Sequence, residues 1–281
     1  MTDSLESHLA ACAEIVRRHD RERYLVCLFA EPDARAGLFA LLAANHEIAK
    51  TAEVVSDPMI GHIRLQWWRE AFEGIEAGTP RAHEVVLPLA AVAETTPEVL
   101  GHLGRIVDAR EADLSGEPLP DLEALIAYAA ETGGEAAAAM ARVLGADVVA
   151  ARHLGTAWAL IGLVRALPAL LAVGRMPLPE SLLQENGVNI SRIRDMPGSV
   201  DLTPICRPIV REGRDRLRRA TAEGALRSKN ARPLRLLSAR AGDLAGSLER
   251  AGFDPRAPGV AEMPTGLVWR HAMRAVCYRF W

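Results

Sequence analysis

Along most of this chain apolar residues recur every three or four positions, the spacing that lines one face of an α-helix. Leu5, Leu9, Cys12, Ile15 and Val16 share such a face and predict a first helix over 5–18. A short segment, 20–30, follows, and Glu31-Pro32-Asp33 reads as a helix start with proline in the first turn. The pattern then runs through Leu38, Leu41, Leu42, Asn45, His46, Ala49 and Ala52 to about Val55. Ser56-Asp57-Pro58 closes that helix and opens a third, which carries Ile60, Ile63, Leu65, Trp67, Trp68 and Phe72 and ends at Gly78. A shorter helix is expected over 83–93, and Thr96-Pro97-Glu98 opens another that runs to Leu114. Asp121 can cap a helix through Glu131. Gly133-Gly134 then breaks the pattern before an alanine-rich helix to Leu144. The span 177–202, with its prolines, glycines and asparagines, predicts a long ordered loop, and three further helices are expected over 203–226, 232–251 and 264–281.

The stretch from Leu154 to Pro179 stands apart. From Leu154 to Gly174 it holds a single charge, Arg165, and one proline, Pro168. Such a run is a membrane span or a helix buried on every side. Roughly 20 apolar residues suffice for a span. A lone cation in mid-bilayer costs at least ~2.5 kcal/mol, however, and the small residues Gly155, Ala157, Ala159, Gly162 and Ala166 suit close packing against neighbouring helices. A buried central helix is the expectation.

At 281 residues and 49% hydrophobic the chain can bury a sizeable core. β-branched runs are scarce and no glycine- or serine-rich boundary divides it, so the fold class expected is all-α, a single domain over 1–281. A net charge of −3 presents no basic field for nucleic acid. The start, MTDSLESH, has neither a basic n-region nor an apolar h-region, so no secretory signal is expected. Cys12, Cys27, Cys206 and Cys277 lack metal-type spacing and read as buried free thiols of a cytoplasmic protein.

Candidate chemistry is sparse. There is no phosphate-binding glycine loop and no histidine–cysteine cluster. His46 shares a face with Leu42 and Ala49 and is either a hydrogen-bonded core residue or a ligand contact. Asp108 and Glu111, three apart, could share a helix face and join a magnesium site, with Asp113 nearby. A solvated, ion-paired face is the simpler reading for a run that includes Arg110. Trp67 and Trp68 point about 100° apart on a helix and suit core packing.

Three runs, taken in order, carry a resemblance: 40–48 (ALLAANHEI), 64–70 (RLQWWRE) and 108–114 (DAREADL), followed by the central helix with its exit Gly174-Arg175-Met176-Pro177-Leu178-Pro179. Together they resemble the squalene/phytoene synthase family. The resemblance implies the isoprenoid synthase fold, a helical bundle around a central cavity. Active members of that family condense two prenyl diphosphates head to head. They use two aspartate-rich motifs on facing helices to hold magnesium, which neutralises the departing diphosphate. Here the first motif falls on Ala49, Lys50 and Glu53, and the second on Ala166, Ala169 and Leu170. Only Glu53 keeps an acid, and of the second motif's surroundings only Arg165 matches. One carboxylate cannot gather a cluster of divalent ions against water. The expectation is therefore no metal, no cofactor and no catalytic residue.

Within the family, the His46-Glu47 pair and the run Arg64 to Arg69 most resemble a degenerate subgroup of bacteria and mitochondria, one of whose members is an assembly factor for respiratory complex I. That implies a non-catalytic role in maturing a membrane complex, with a respiratory subunit or assembly intermediate as partner, at or near the inner membrane. Two alternatives stand beside it. One is a head-to-head prenyl synthase, with Lys50, Arg165 and Arg175 holding diphosphate directly and magnesium as cofactor. The other is a carrier for an isoprenoid or other lipid, with His46, Lys50, Arg165 and Arg175 as ligand or anion contacts. The last helix adds a stripe, Trp269, Met273, Val276 and Phe280, with Arg270, His271, Arg274 and Arg279 around it. Such a helix packs on its own core or docks on a membrane surface or partner through 264–281.

Overall fold

The computed structural model describes residues 2–195, 198, 200–222 and 225–277 of the chain. Every regular element among them is helical: α1 (Thr2–His19), α2 (Arg21–Cys27), α3 (Pro32–Ala49), α4 (Thr51–Val54), α5 (Pro58–Glu76), α6 (Val86–Thr95), α7 (Glu98–Ala109), α8 (Ala112–Ser115), α9 (Leu122–Ala129), a π-helical turn (Ala130–Gly134), α10 (Glu135–Leu144), α11 (Val148–Ala172), α12 (Glu180–Glu185), α13 (Ile190–Asp195), α14 (Thr203–Thr221), a 3₁₀ turn (Lys229–Ala231), α15 (Arg232–Arg250) and α16 (Leu267–Cys277). Several starts are fixed by aspartate caps. The side chains of Asp20, Asp57, Asp121 and Asp147 accept the backbone N–H of Arg23, Met59, Ala124 and Ala150, satisfying donors that the first helical turn leaves free.

The long apolar helix, α11, lies at the centre, packed against α14, α10, the π turn and α15. It is long and apolar enough to cross a membrane, but here it is the axis of the bundle. It is not buried on every side: Leu154, Ala157, Leu160, Ile161, Val164 and Leu167 are buried, whereas Trp158, Ala159, Gly162, Leu163, Ala166 and Leu170 face an internal hollow. Of the small residues, Gly155 makes the closest approach. A Cβ there would sit 2.0 Å from the Gly133 carbonyl oxygen and 2.6 Å from the Ala137 Cβ.

That contact explains one correction. Gly133-Gly134 does not break the chain. It forms the π turn and continues directly into α10, because two residues without side chains let the backbone abut α11. A second correction concerns 177–202, expected as one loop. It carries α12 and α13, each six residues long and too short to show a period, anchored by buried Leu183 and Ile193. The segment 20–30 is likewise helical, as α2, and the helix expected to 114 divides at Arg110 into α7 and α8. Cys12, Cys27 and Cys206 are buried free thiols. The side chain of Cys277, with Arg279 and Phe280 of the terminal stripe, lies outside the described residues.

The last helix does not follow the usual amphipathic rule. Its seat on the bundle is Leu267, His271 and Arg274, and Val268, Trp269, Met273 and Val276 are turned outward. Arg274 donates to both carboxylate oxygens of Asp243 on α15, at 3.0 and 2.9 Å. His271 is fully buried, edge-on to Phe29, with no hydrogen-bond partner for either ring nitrogen among the described residues. Burial, then Arg274 and Arg240, lower its pKa, against a smaller opposing pull from Asp243 and Glu22. The folded state therefore holds His271 neutral, and the unfolded chain takes up the proton first. Stability is expected to fall as pH drops below about 6.5, the ordinary imidazole value. Thermal melts of wild type and His271→Leu across pH 5–8 check this: the variant loses part of the slope, and identical slopes would refute the assignment.

Candidate functional site

The hollow beside α11 has a volume of about 520 Å³. Its apolar wall comes from α11 (Trp158, Ala159, Gly162, Leu163, Ala166, Leu170), from α9 (Leu125) and from the exit of α11 (Met176, Pro177), with Leu119 between. Its polar wall comes from α2 (Arg23), α3 (Asn45), the α7–α9 region (Arg110, Asp113, Tyr128) and the α11 exit (Arg175). A second hollow, about 530 Å³, lies among α1, α3, α6 and α10, but its charged lining is Glu31 and Asp33, and Lys229 already pairs with Glu31 at 2.9 Å.

The acids of the main cavity's lining are Asp113 and Glu117, and Asp113 is occupied. Arg110 donates through Nη1 to Asp113 Oδ2 at 2.9 Å and to the Tyr128 oxygen at 2.6 Å, and the Tyr128 hydroxyl donates to Asp113 Oδ1 at 2.7 Å. The Arg110 guanidinium also lies over the Tyr128 ring, 5.6 Å from its centroid. Burial pushes the Tyr128 phenol well above its usual range, so it remains protonated. Arg23 pairs with Asp20. The cavity therefore presents guanidinium groups backed by carboxylates, beside a wall of aliphatic and aromatic carbon. Such a lining suits a guest with a polar end and an apolar body.

The residues at the two degenerate acidic motifs are placed as follows. Ala166 and Leu170 line the cavity, while Ala169, also on α11, is exposed. Ala49 ends α3, and Lys50, just after it, pairs with Glu47. Glu53, on α4, accepts from Arg175 Nη1 at 3.0 Å. The segments that follow α3 and α11 are thus joined by an ion pair. Magnesium prefers several carboxylate oxygens around one point. Among the described residues no three histidine, cysteine or acidic side chains converge in that way, and the donor set at these motif positions is one carboxylate already held by a guanidinium. These residues do not suit the ion that the resemblance brings to mind.

Of the expected anion contacts, Arg175 lines the cavity, whereas His46, Lys50 and Arg165 are not among the lining residues. His46 stacks on His19 with ring centroids 4.3 Å apart, and burial followed by His19 lowers its pKa. Arg165 turns to α2, where its Nη1 donates to Glu22 Oε2 at 2.7 Å. Arg240, on α15, donates through Nε to Glu22 Oε1 at 2.7 Å. Glu22 and Arg240 are both buried. Asp108 and Glu111 share Arg69 on an exposed face, each at 2.7 Å, which is the solvated ion-paired reading. Of the acids in that run, Asp113 alone lines the cavity. Arg23 and Tyr128 had no sequence signal as cavity residues, because they come from different helices and share no motif, and Arg110 stood in the run 108–114 with no role assigned to it.

The Glu22 triad makes a sharp prediction. Glu22→Gln strips the charge from between two guanidiniums, and removing one partner of a buried ion pair costs roughly 3–5 kcal/mol. A loss of unfolding free energy of that size is expected from chemical denaturation; a change under about 1 kcal/mol would show that water screens the triad.

Comparison with known proteins bears on this geometry. The chain matches the family model for squalene/phytoene synthase over residues 16–265. It is 29% identical over 182 residues to the human NADH dehydrogenase (ubiquinone) complex I, assembly factor 6, covering 63% of this chain and 55% of that protein. It is 26% identical over 186 residues to the homologue of that factor in Dictyostelium discoideum, covering 64% and 52%. The chain thus spans about half the length of these curated relatives. Among solved structures, a dehydrosqualene synthase superposes with a TM-score of 0.80 at 12% identity, covering 99% of this chain and 98% of that one. The squalene synthase of Alicyclobacillus acidocaldarius gives 0.76 at 18% identity, covering 89% and 96%. Those two likenesses establish the isoprenoid synthase fold. With the family model spanning α2 to α15 and the cavity in place beside α11, this chain belongs to the squalene/phytoene synthase family.

Proposed function

We propose that this chain is a non-catalytic member of its family that serves in assembling or maturing a respiratory membrane complex of the complex I type, by binding a subunit or assembly intermediate. The observation that carries the reading is the disposal of charge at the old acidic motifs. Alanine, lysine and leucine stand where acids would be needed, and the remaining Glu53 is spent on Arg175. Ionising a prenyl diphosphate demands divalent cations at the leaving group, and no metal or organic cofactor has a place in this reading. The names of the curated relatives, complex I assembly factors in human and Dictyostelium discoideum, supply the role. The site of action in this reading is the inner membrane's aqueous face.

The mixed lining of the cavity favours a second property alongside the first: retention of an isoprenoid or other lipid without reaction. A hollow of about 520 Å³ with cationic and apolar walls suits such a guest.

Deleting the gene in its host is expected to lower the amount of assembled NADH dehydrogenase complex on native gels, with rescue by wild type and by Glu53→Ala alike. Purified protein given farnesyl or geranylgeranyl diphosphate and magnesium is expected to release no diphosphate. Full assembly in the deletion strain, or turnover in vitro, would overturn the reading. Native mass spectrometry of protein purified from that host tests retention: a bound lipid is expected, and an empty cavity would end the carrier reading.

A further inference from the structure

The outward face of α16 is apolar, as is the start of α5 at Met59, Ile60 and Ile63, but of the two only the α16 face carries an exposed tryptophan. Trp269 is 76% exposed, Met273 70%, Val276 58% and Val268 47%. At 100° per residue these four side chains fall within one 140° arc. The polar residues His271 and Arg274 lie on the opposite arc, seated on α15. The helix is therefore inverted. Its charged side is consumed inside, by the bidentate pair with Asp243, and its apolar side meets water. The domain's own core has not claimed that side.

Charge indicates what covers it. Residues 203–281, which include α14, α15 and α16, hold 16 lysines and arginines against 7 aspartates and glutamates, a net of +9. Residues 1–202 hold 17 against 29, a net of −12. Arg274–Asp243 cancels within the segment, while Lys229 and Arg240 pair with Glu31 and Glu22 of the first part, and the balance of residues 203–281 stays positive. Arg270, on α16 beside the apolar arc, is exposed. An apolar stripe carrying tryptophan, with the exposed Arg270 beside it and on a sequence segment of net positive charge, matches an anionic lipid surface. Its apolar arc enters the acyl boundary and its cations meet the headgroups. A protein partner of neutral or basic surface would gain nothing from the surplus.

We propose that the Val268–Trp269–Met273–Val276 face of α16 docks the chain on an anionic lipid bilayer, as a peripheral contact lying in the plane of the membrane surface. This contact stands apart from the assembly role, because it is read from α16 alone and its test involves no respiratory complex.

The test is flotation of the full-length chain with phosphatidylcholine vesicles, with and without phosphatidylglycerol. Wild type is expected to float with the anionic vesicles, less with the neutral ones, and less again as salt is raised. The double variant W269S/M273S is expected to lose about tenfold or more in partitioning. Both side chains are exposed, so its circular dichroism and melting temperature should match wild type. Arg270→Glu, which leaves the apolar arc untouched, should weaken only the anionic case. Failure of wild type to float would overturn the proposal, as would equal flotation of wild type and the double variant. Sedimentation provides the remaining outcome: a wild-type dimer that W269S/M273S dissociates, without vesicle binding, would assign the face to a second copy of the chain and overturn the bilayer contact.

Discussion

The carboxylate of Glu22 sits between two guanidiniums, Arg165 from the central helix and Arg240 from α15. Buried charge of this kind is stable only when its partners stay in place, so three helices far apart in sequence are held in one arrangement. The same rule governs the rest of the interior. Glu135 is nearly fully buried, and burial alone would raise its pKa. His102, Arg105 and Arg152 instead hold it down at about 2. Asp113 is held by Arg110 and Tyr128, and Asp20 by Arg23. Each of these carboxylates is compensated by its own guanidinium partners. At Glu53 and Asp113 a divalent ion would have to displace a guanidinium to gain its ligand, whereas a metal-dependent synthase needs acids left free to receive it.

How much of this was legible in the sequence differs from element to element. Long amphipathic helices such as α5, α14 and α15 declare themselves by period, and α11 by its lack of charge. The positions of the degenerate acidic motifs rest on the resemblance, which places one just after the run 40–48 and the other on the central helix. Short elements were not. Six residues, as in α12 or α13, hold less than two turns and cannot show a repeat. Gly133-Gly134 was misread because glycine signals a break locally, while here it serves a tertiary contact with Gly155.

The cavity's polar lining shows the deeper limit. Arg165 sits beside a lost acidic position, and that neighbourhood suggests an anion contact. Its partner, Glu22, lies 143 residues away, and no local pattern announces the pair. Arg110 was visible as part of an acidic run, but its cavity role depends on Tyr128, 18 residues on, turning back across α9. Pairings set by packing are recovered only when the packing is known. The terminal helix makes the same point from the opposite side. Its stripe was evident, yet whether the stripe faced inward or outward depended on the His271 and Arg274 seat.

The abutment of Gly155 on Gly133 has a mechanical consequence. Main chain rests on main chain there, with no side chain between to rotate aside. On that flank the enclosure is stiff, because close-packed backbone has little compressibility. Another part of the lining, Met176 and Pro177 beyond the end of α11, is irregular chain carrying a flexible thioether. Whatever yielding the chamber has therefore falls on the Met176–Pro177 side and not on the glycine contact.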